Sequence, residues 1–403
     1  MAAPPPVRLI VVLCAAFVAT GSGVASVGPS LQGLAQDVGR PLSDLGTLLS
    51  ALFTGMLLSQ AVSGGVVDRY GVRPASLTSF ALYAAGAMSL PFAPSLRWLL
   101  ASGLVMGLGF GMSSIALNSL AATLMPVRPG FVLNLINVWY AVGTVAGPFL
   151  ASLWLDRGGR AADVLFLAGA SLLLLAPAAW MLVPRLDTLT RPVEPSATTR
   201  ATPRGAGRWR PSPALLLIGL VVLLYGGIEA GFGGWVASYV QQTIGASASR
   251  AALLTSLFWL SYLVGRIAAT IVTLTVRPGY VLAATSAVAL IGGVVLGVGH
   301  GQATPTIVAI VLLGFGVGPV YPAMFALVTS RFRERPATAV SVTASIGSLG
   351  AVVLPWVMGR ALPLADGRIV SWMPAAFAAG MLCALWLSQA LFRRERSAAG
   401  THR

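Results

Sequence analysis

Apolar runs of about twenty residues, the length a helix needs to cross a bilayer core, recur along almost the whole chain. Nothing else in the sequence constrains the fold as much. Twelve such runs are read near residues 8–30, 44–66, 75–93, 97–123, 131–154, 163–183, 214–240, 250–274, 279–298, 304–329, 337–360 and 371–392. Within lipid a backbone must satisfy its own polar groups, and continuous apolar runs of this length do so as helices. The composition agrees: 9% of the 403 residues are charged and 56% are hydrophobic, where a soluble domain carries about 25% charge. The expectation is an all-α membrane protein, 12 transmembrane helices in two pseudo-symmetric six-helix bundles.

All 26 basic residues are Arg, and the net charge is +15. A nucleic-acid-binding protein can be as basic, but here the charges sit in short loops between apolar runs, so no nucleic-acid partner is expected. Counted by loop, one side holds 18 Arg together with both termini and the other holds 7, with Arg266 alone inside a span. The positive-inside rule makes the richer side, and both termini, cytoplasmic. The location expected is the bacterial inner (cell) membrane, with membrane lipids as surroundings and a monomer as the unit. Arg8 and the run to Thr20 imitate a signal peptide, but the run continues past Ser22 and many spans follow, so it counts as the first helix. Cys14 and Cys383 lie far apart in apolar runs and suggest neither a disulfide nor a metal site.

The two halves resemble each other. Thr47–Phe53 (TLLSALF) on the second run matches Ala252–Phe258 (ALLTSLF) on the eighth at an offset of 205 residues; Gly107, Gly109 and Gly111 match Gly314, Gly316 and Gly318 at 207; Pro148 and Pro355 repeat 207. Three matches in chain order argue for a parallel duplication. The Pro-, Arg- and Ser/Thr-rich stretch between the halves reads as a linker. The division is 1–184 for the first bundle, 185–212 for a cytoplasmic linker, 213–392 for the second bundle and 393–403 for a cytoplasmic tail.

Between the second and third runs lies Gly64-Gly-Val-Val-Asp68-Arg69-Tyr70-Gly71-Val72-Arg73. Its pattern, G-x-x-x-D-R-x-G-x-R, resembles the signature loop of the major facilitator superfamily in position and spacing. The resemblance implies that family's fold and alternating access around a midplane cavity. It makes Gly64, Asp68, Arg69, Gly71 and Arg73 a cytoplasmic gate, with Gly64 allowing close helix approach, Gly71 a tight turn, and Asp68 pairing with Arg69 or Arg73 until the gate opens. Two further stretches are similar to the fucose/glucose–proton symporter branch: Tyr225-Gly-Gly-Ile-Glu229-Ala-Gly-Phe-Gly-Gly-Trp235, and Leu133-Asn134-Leu-Ile-Asn137-Val-Trp139 running on to Gly147-Pro148. The acid that members of that branch often carry in the first helix is missing from Ala19–Ser26.

Glu229 is then the one acid well inside a span. A charged carboxylate at that depth costs about 2.5–3.5 kcal/mol on insertion scales and marks a functional position. Two readings stand: a proton-coupling or substrate group, or one half of a structural ion pair with Arg266. Their heights differ by roughly 10 Å at 1.5 Å per residue, which favours the first and leaves Arg266 to brace the cytoplasmic gate. A sugar-like solute needs amides, hydroxyls and flat aromatic faces. The candidates are Asn118, Asn134, Asn137, Trp139, Tyr225, Trp259, Tyr262 and Tyr321, with Asn134 and Asn137 on one helical face.

The function expected is secondary active transport of a small, polar, sugar-like solute by alternating access, as proton-coupled uptake. A drug or metabolite efflux antiporter of the same superfamily is the nearest rival, since Gly143-x-x-x-Gly147-Pro148 resembles part of an antiporter motif. A non-transporting membrane sensor is the other. With no metal cluster and no paired carboxylates inside the spans, neither an enzyme nor any cofactor is expected.

Overall fold

The structure is a computed structural model and describes residues 7–124, 129–183, 211–273, 275–333 and 335–400. Those residues form twelve long helical segments: α1 (Val7–Asp37), α2 (Gly46–Tyr70), α3 (Val72–Ser89), α4 (Leu96–Leu124), α5 (Pro129–Leu155), α6 (Asp163–Leu182), α7 (Pro213–Ile244), α8 (Ala248–Val272), α9 (Pro278–Val298), α10 (Ala303–Arg331), α11 (Pro336–Ala361) and α12 (Arg368–Gly400). Eleven segments are long and apolar enough to cross a membrane. The exception is α3, whose 18 residues are long enough but include Arg73, Pro74, Ser76, Thr78 and Ser79 and so are less apolar; a 3₁₀ turn at Leu90–Phe92 extends it. The protein is an all-α integral membrane protein. The expected linker lies outside the described residues except for its last two positions, Pro211 and Ser212, and so does the end of the tail.

Local chemistry sets several helix starts. At α7 the Ser212 hydroxyl accepts from the Leu215 N–H (3.3 Å) and Pro213 follows it, supplying a cap and a φ already suited to a first turn. Pro278 also opens α9, there without a side-chain cap. Between α2 and α3 the chain turns within one residue: Gly71 has φ +87° and its N–H returns to the Val67 carbonyl at 2.8 Å. A side chain would be strained at that φ.

By contact density the chain divides into two compact units. One comprises Met1–Arg191 with Gly234–Leu260 and Pro355–Pro363; the other comprises Pro192–Gly233, Ser261–Leu354 and Leu364–Arg403. In the first, α2 packs on α4, α1 on α5, and α3 on both α4 and α6; in the second, α9 packs on α10 and α12 as α3 does on α4 and α6.

The duplication extends to individual glycines. A Cβ at Gly109 would strike Tyr83 and Ser79 of α3, and one at Gly316 would strike Ala289 and Thr285 of α9. A Cβ at Gly143 would lie 2.3 Å from the Val18 carbonyl of α1, and one at Gly350 would lie 2.0 Å from the Leu223 carbonyl of α7. These are helix crossings that only a missing side chain permits. The Gly143–Gly350 match, also offset by 207 residues, becomes visible only once its partners are known.

The first unit is closed around Trp235, which has no exposed surface. Its indole N–H donates to the Pro355 carbonyl (2.8 Å), and its ring would be struck by a Cβ at Gly46 or Gly359. Ser256 donates to the Val145 carbonyl at 2.8 Å, and Ser152 and Ser249 share a hydrogen bond at 3.0 Å.

Candidate functional site

The site is built on a break in α7. Its first part ends at Gly226, and Gly227–Phe232 continue as a π turn before α-helix resumes at Gly233. π turns are uncommon and concentrate where function needs a side chain re-aimed. Glycines relax this stretch and also fit it: a Cβ at Gly226 would lie 2.9 Å from the Ala351 nitrogen, and one at Gly227 would meet Leu354 and Phe377 at 2.7 Å. Glu229 stands in the turn, partly exposed, between buried Ile228 and Ala230.

The second unit gathers a polar cluster around that carboxylate. The Tyr262 hydroxyl of α8 donates to Glu229 Oε1 at 2.6 Å. It also accepts from Arg266 Nη2, one turn along α8, and lies 3.0 Å from the Tyr225 hydroxyl. The Arg266 guanidinium stacks on the Tyr262 ring, 4.7 Å from its centroid, and its Nε donates to the Gly318 carbonyl at 3.3 Å. That carbonyl is available because Pro322, four residues on, has no N–H to return to it. Gly318 also lets α10 approach, since a Cβ there would sit 2.1 Å from the Tyr262 carbonyl. Tyr321 completes the cluster, 37% exposed, its ring 6.5 Å from that of Tyr225 and 5.2 Å from that of Phe325.

This geometry corrects the reading that set Arg266 at the cytoplasmic gate and away from Glu229. The height difference is spanned by a third residue: Tyr262, i−4 from Arg266, lies on the same helical face, and its hydroxyl takes a hydrogen bond from one group while giving one to the other. The acid and the base are therefore linked through a phenol. The cluster can hold a negative charge beside a cation in a partly dry site, with Tyr225 and Tyr262 buried and Tyr321 as its exposed ring.

A model of the Major Facilitator Superfamily matches residues 11–355. The chain belongs to the Major Facilitator Superfamily. Among curated members it is similar to the niacin transporter NiaP of Acinetobacter baylyi (33% identical over 99 residues, 24% of this chain and 23% of that one). It is also similar to the sodium-dependent glucose transporter 1A of Mus musculus (26% over 272 residues, 61% of this chain and 64% of that one). The chain thus spans under two thirds of the length of the curated relatives it matches. Over nearly its whole length it superposes on a D-xylose–proton symporter (TM-score 0.77, 15% identity, 95% and 97% of the two chains). It superposes likewise on the xylose transporter XylE of E. coli (TM-score 0.74, 13% identity, 94% and 97%). Both share the superfamily fold.

The superfamily's signature loop differs from its expected form in two respects. Gly64 does not mediate a close approach: a Cβ there would meet nothing within 4 Å, whereas Gly55, earlier in α2, lies against the Leu104 carbonyl of α4. Asp68 is exposed and forms no ion pair among the described residues. The arginines bind aromatic faces instead, Arg73 over Trp180 at 3.8 Å and Arg69 over Tyr70 at 5.3 Å. An exposed ion pair gains little over hydration, while a guanidinium on an indole also buries apolar area.

The remaining candidates fall in the first unit. Asn137 Nδ2 donates to Asn118 Oδ1 at 3.2 Å, and Asn118 Nδ2 to the Ser114 carbonyl at 2.6 Å. The Asn134 side chain lies outside the described residues. Trp139, two residues past Asn137 and so on another face of α5, lines an apolar cavity of about 880 Å³ with Cys14 and Val18 of α1 and Leu167 and Leu175 of α6. Trp259 packs edge-on against Phe258 at 5.3 Å. Of the predicted solute-binding residues, the structure therefore brings Tyr225, Tyr262 and Tyr321 together with Glu229. Sequence reasoning missed Gly318; a glycine four residues before a proline was the available signal.

Proposed function

We propose that this protein is a secondary active transporter taking up a small polar solute together with a proton, by alternating access of two six-helix halves, with Glu229 as the titrating group. The observation that carries the reading is the Glu229–Tyr262–Arg266 chain in a π turn. It holds a carboxylate at membrane depth, where a charged acid is costly unless paired, and leaves it partly open to exchange a proton. Protonation removes the charge that opposes reorientation. Tyr225, Tyr262 and Tyr321 supply the hydroxyls and flat faces a sugar-like solute needs. The D-xylose–proton symporter and the glucose transporter among the similar proteins are consistent with such a solute.

A second reading for the solute, an aromatic carboxylate, is favoured by the position of a guanidinium among three phenol rings. Similar proteins include the niacin transporter, a 4-hydroxybenzoate transporter and a gallate transporter. The test uses proteoliposomes with an inward proton gradient and labelled D-xylose, D-glucose and nicotinate. Wild type should accumulate one of them, and Glu229→Gln should lose gradient-driven accumulation while retaining exchange of the same solute across the membrane. Accumulation by Glu229→Gln equal to wild type overturns the proton reading, and solute driven out by incoming protons indicates efflux antiport instead.

A further inference from the structure

We propose that the Tyr262 hydroxyl is a hydrogen-bond switch that converts protonation of Glu229 into release of the Tyr225 O–H toward the solute. This rests on the reading of Glu229 as the proton-coupling group and adds the means by which the proton is felt.

The argument is one of donor and acceptor capacity. A phenol has one proton to give and two lone pairs to receive with. Glu229 as a carboxylate can only accept, so the 2.6 Å contact uses the Tyr262 proton. Arg266 can only donate, so its contact uses one lone pair. With the Tyr262 proton on Glu229, the third contact, at 3.0 Å, runs from Tyr225 into the second lone pair of Tyr262, and the Tyr225 hydroxyl also hydrogen-bonds the Glu229 carboxylate. With one charged group on each side, two of these bonds are charge-assisted and hold the phenol in this orientation.

A proton arriving on Glu229 Oε1 keeps the short contact with its polarity reversed, the carboxyl O–H now donating to Tyr262. That needs a lone pair, and both are filled. Arg266 cannot yield, because its charge is permanent and Gly318 holds its Nε. Tyr225 is a rotor, and its bond is the only neutral one of the three. The Tyr262 proton, no longer needed by Glu229, turns onto the Tyr225 oxygen, and the Tyr225 proton swings free. No bond other than hydrogen bonds changes, and the number of protons rises by the one that entered. The Tyr225 ring neighbours that of Tyr321 (6.5 Å between centroids), the exposed aromatic of the cluster. A solute with an acceptor oxygen over that ring would be bound by the protonated carrier and not by the ionised one. Tyr225 and Tyr262 are thus positioning residues for coupling as well as solute contacts, and the proton is expected to bind first.

The switch can be observed without knowing the solute. Infrared difference spectra of the full-length protein in lipid, recorded on acidification with and without ring-labelled tyrosine, report the C=O stretch of a newly protonated carboxyl and the C–O stretch of any phenol that changes its hydrogen bonds. Wild type should show one carboxyl band absent from Glu229→Gln, with a tyrosine change at the same midpoint. Tyr225→Phe should retain the carboxyl band and the Tyr262 part of the tyrosine change, and lose the part that Tyr225 contributes. Tyr262→Phe should shift the carboxyl midpoint and abolish the coupled tyrosine change. A carboxyl band with no accompanying tyrosine change, or a tyrosine change of full wild-type size in Tyr225→Phe, overturns the switch and leaves the proton reading standing. Absence of any Glu229-dependent carboxyl band in wild type removes that reading and the switch together.

Discussion

Arg266 is anchored by a carbonyl that a proline has set free: its Nε donates to Gly318 at 3.3 Å, and Pro322, where the helix would have used that carbonyl, has no N–H. A break in α10 thereby fixes a charged side chain of α8, and through Tyr262 it fixes the environment of an acid on α7. Three helices are joined by backbone chemistry as much as by side chains.

Gly318→Ala is predicted to damage this junction. The added methyl would lie 2.1 Å from the Tyr262 carbonyl, and forced overpacking of this kind costs about 1–3 kcal/mol. Apparent melting temperature in detergent should fall, with pH-driven accumulation falling more steeply than melting, since both Tyr262 and Arg266 would move. Gly64→Ala makes the contrast. With open space around it and a helical backbone, it should be neutral or stabilising by up to about 1 kcal/mol.

Arg266→Lys should fail to substitute. A planar guanidinium reaches the Gly318 carbonyl and the Tyr262 hydroxyl from different nitrogens, a geometry that a single ammonium does not reproduce. Transport at saturating solute should fall well below wild type while the protein still inserts and folds. Wild-type rates in Arg266→Lys would show that charge alone suffices.

Glu229→Gln and Arg266→Gln should not add. Both groups meet at one hydroxyl, so a double-mutant cycle on melting is expected to give a coupling energy within the roughly 0.5–3 kcal/mol seen for residues sharing a network. A value within error of zero would mean that Tyr262 does not join them.

Trp235→Phe should destabilise the first unit. It removes the 2.8 Å bond to the Pro355 carbonyl, worth about 0.5–1.5 kcal/mol, and part of a ring packed on Gly46 and Gly359. Asp44→Asn should have a smaller effect. Its partner Arg360, 3.4 Å away, is 55% exposed, and ion pairs of that exposure contribute about 0–1 kcal/mol. Melting curves of the two variants side by side test the ranking.

The fold was legible because bilayer physics writes it into hydropathy: run length gives the helices, and the 205- and 207-residue offsets give the duplication. Helix α3, expected near 75–93, is the one segment not apolar enough along its own length to count as a span. The candidate site was legible only as residue types. Glu229, Tyr225, Tyr262 and Tyr321 were all identifiable, because an acid and phenols inside apolar runs are conspicuous. Their connection was not, since counting helical rise compares Cα heights and ignores a long side chain meeting a phenol one turn away. Trp139 was misleading for the opposite reason: it is close to Asn137 in sequence but on another face of α5. The Asp68 ion pair was expected from charge proximity alone, and the Trp180 ring that competes for Arg73 lies 107 residues further on.

The π turn also bears on how the two halves match. Ahead of it, the positions of α1 and α7 that meet Gly143 and Gly350 are Val18 and Leu223, 205 residues apart. Beyond it, Gly28 and Gly234, whose backbones face each other, are 206 apart. A π turn holds one residue more than a regular α-helical turn, which matches the one-residue difference between these two offsets. Deleting Ile228 should return α7 to the register of α1, rotating the side chains on one side of the deletion by about 100° relative to the other. It should also abolish the Glu229 carboxyl band.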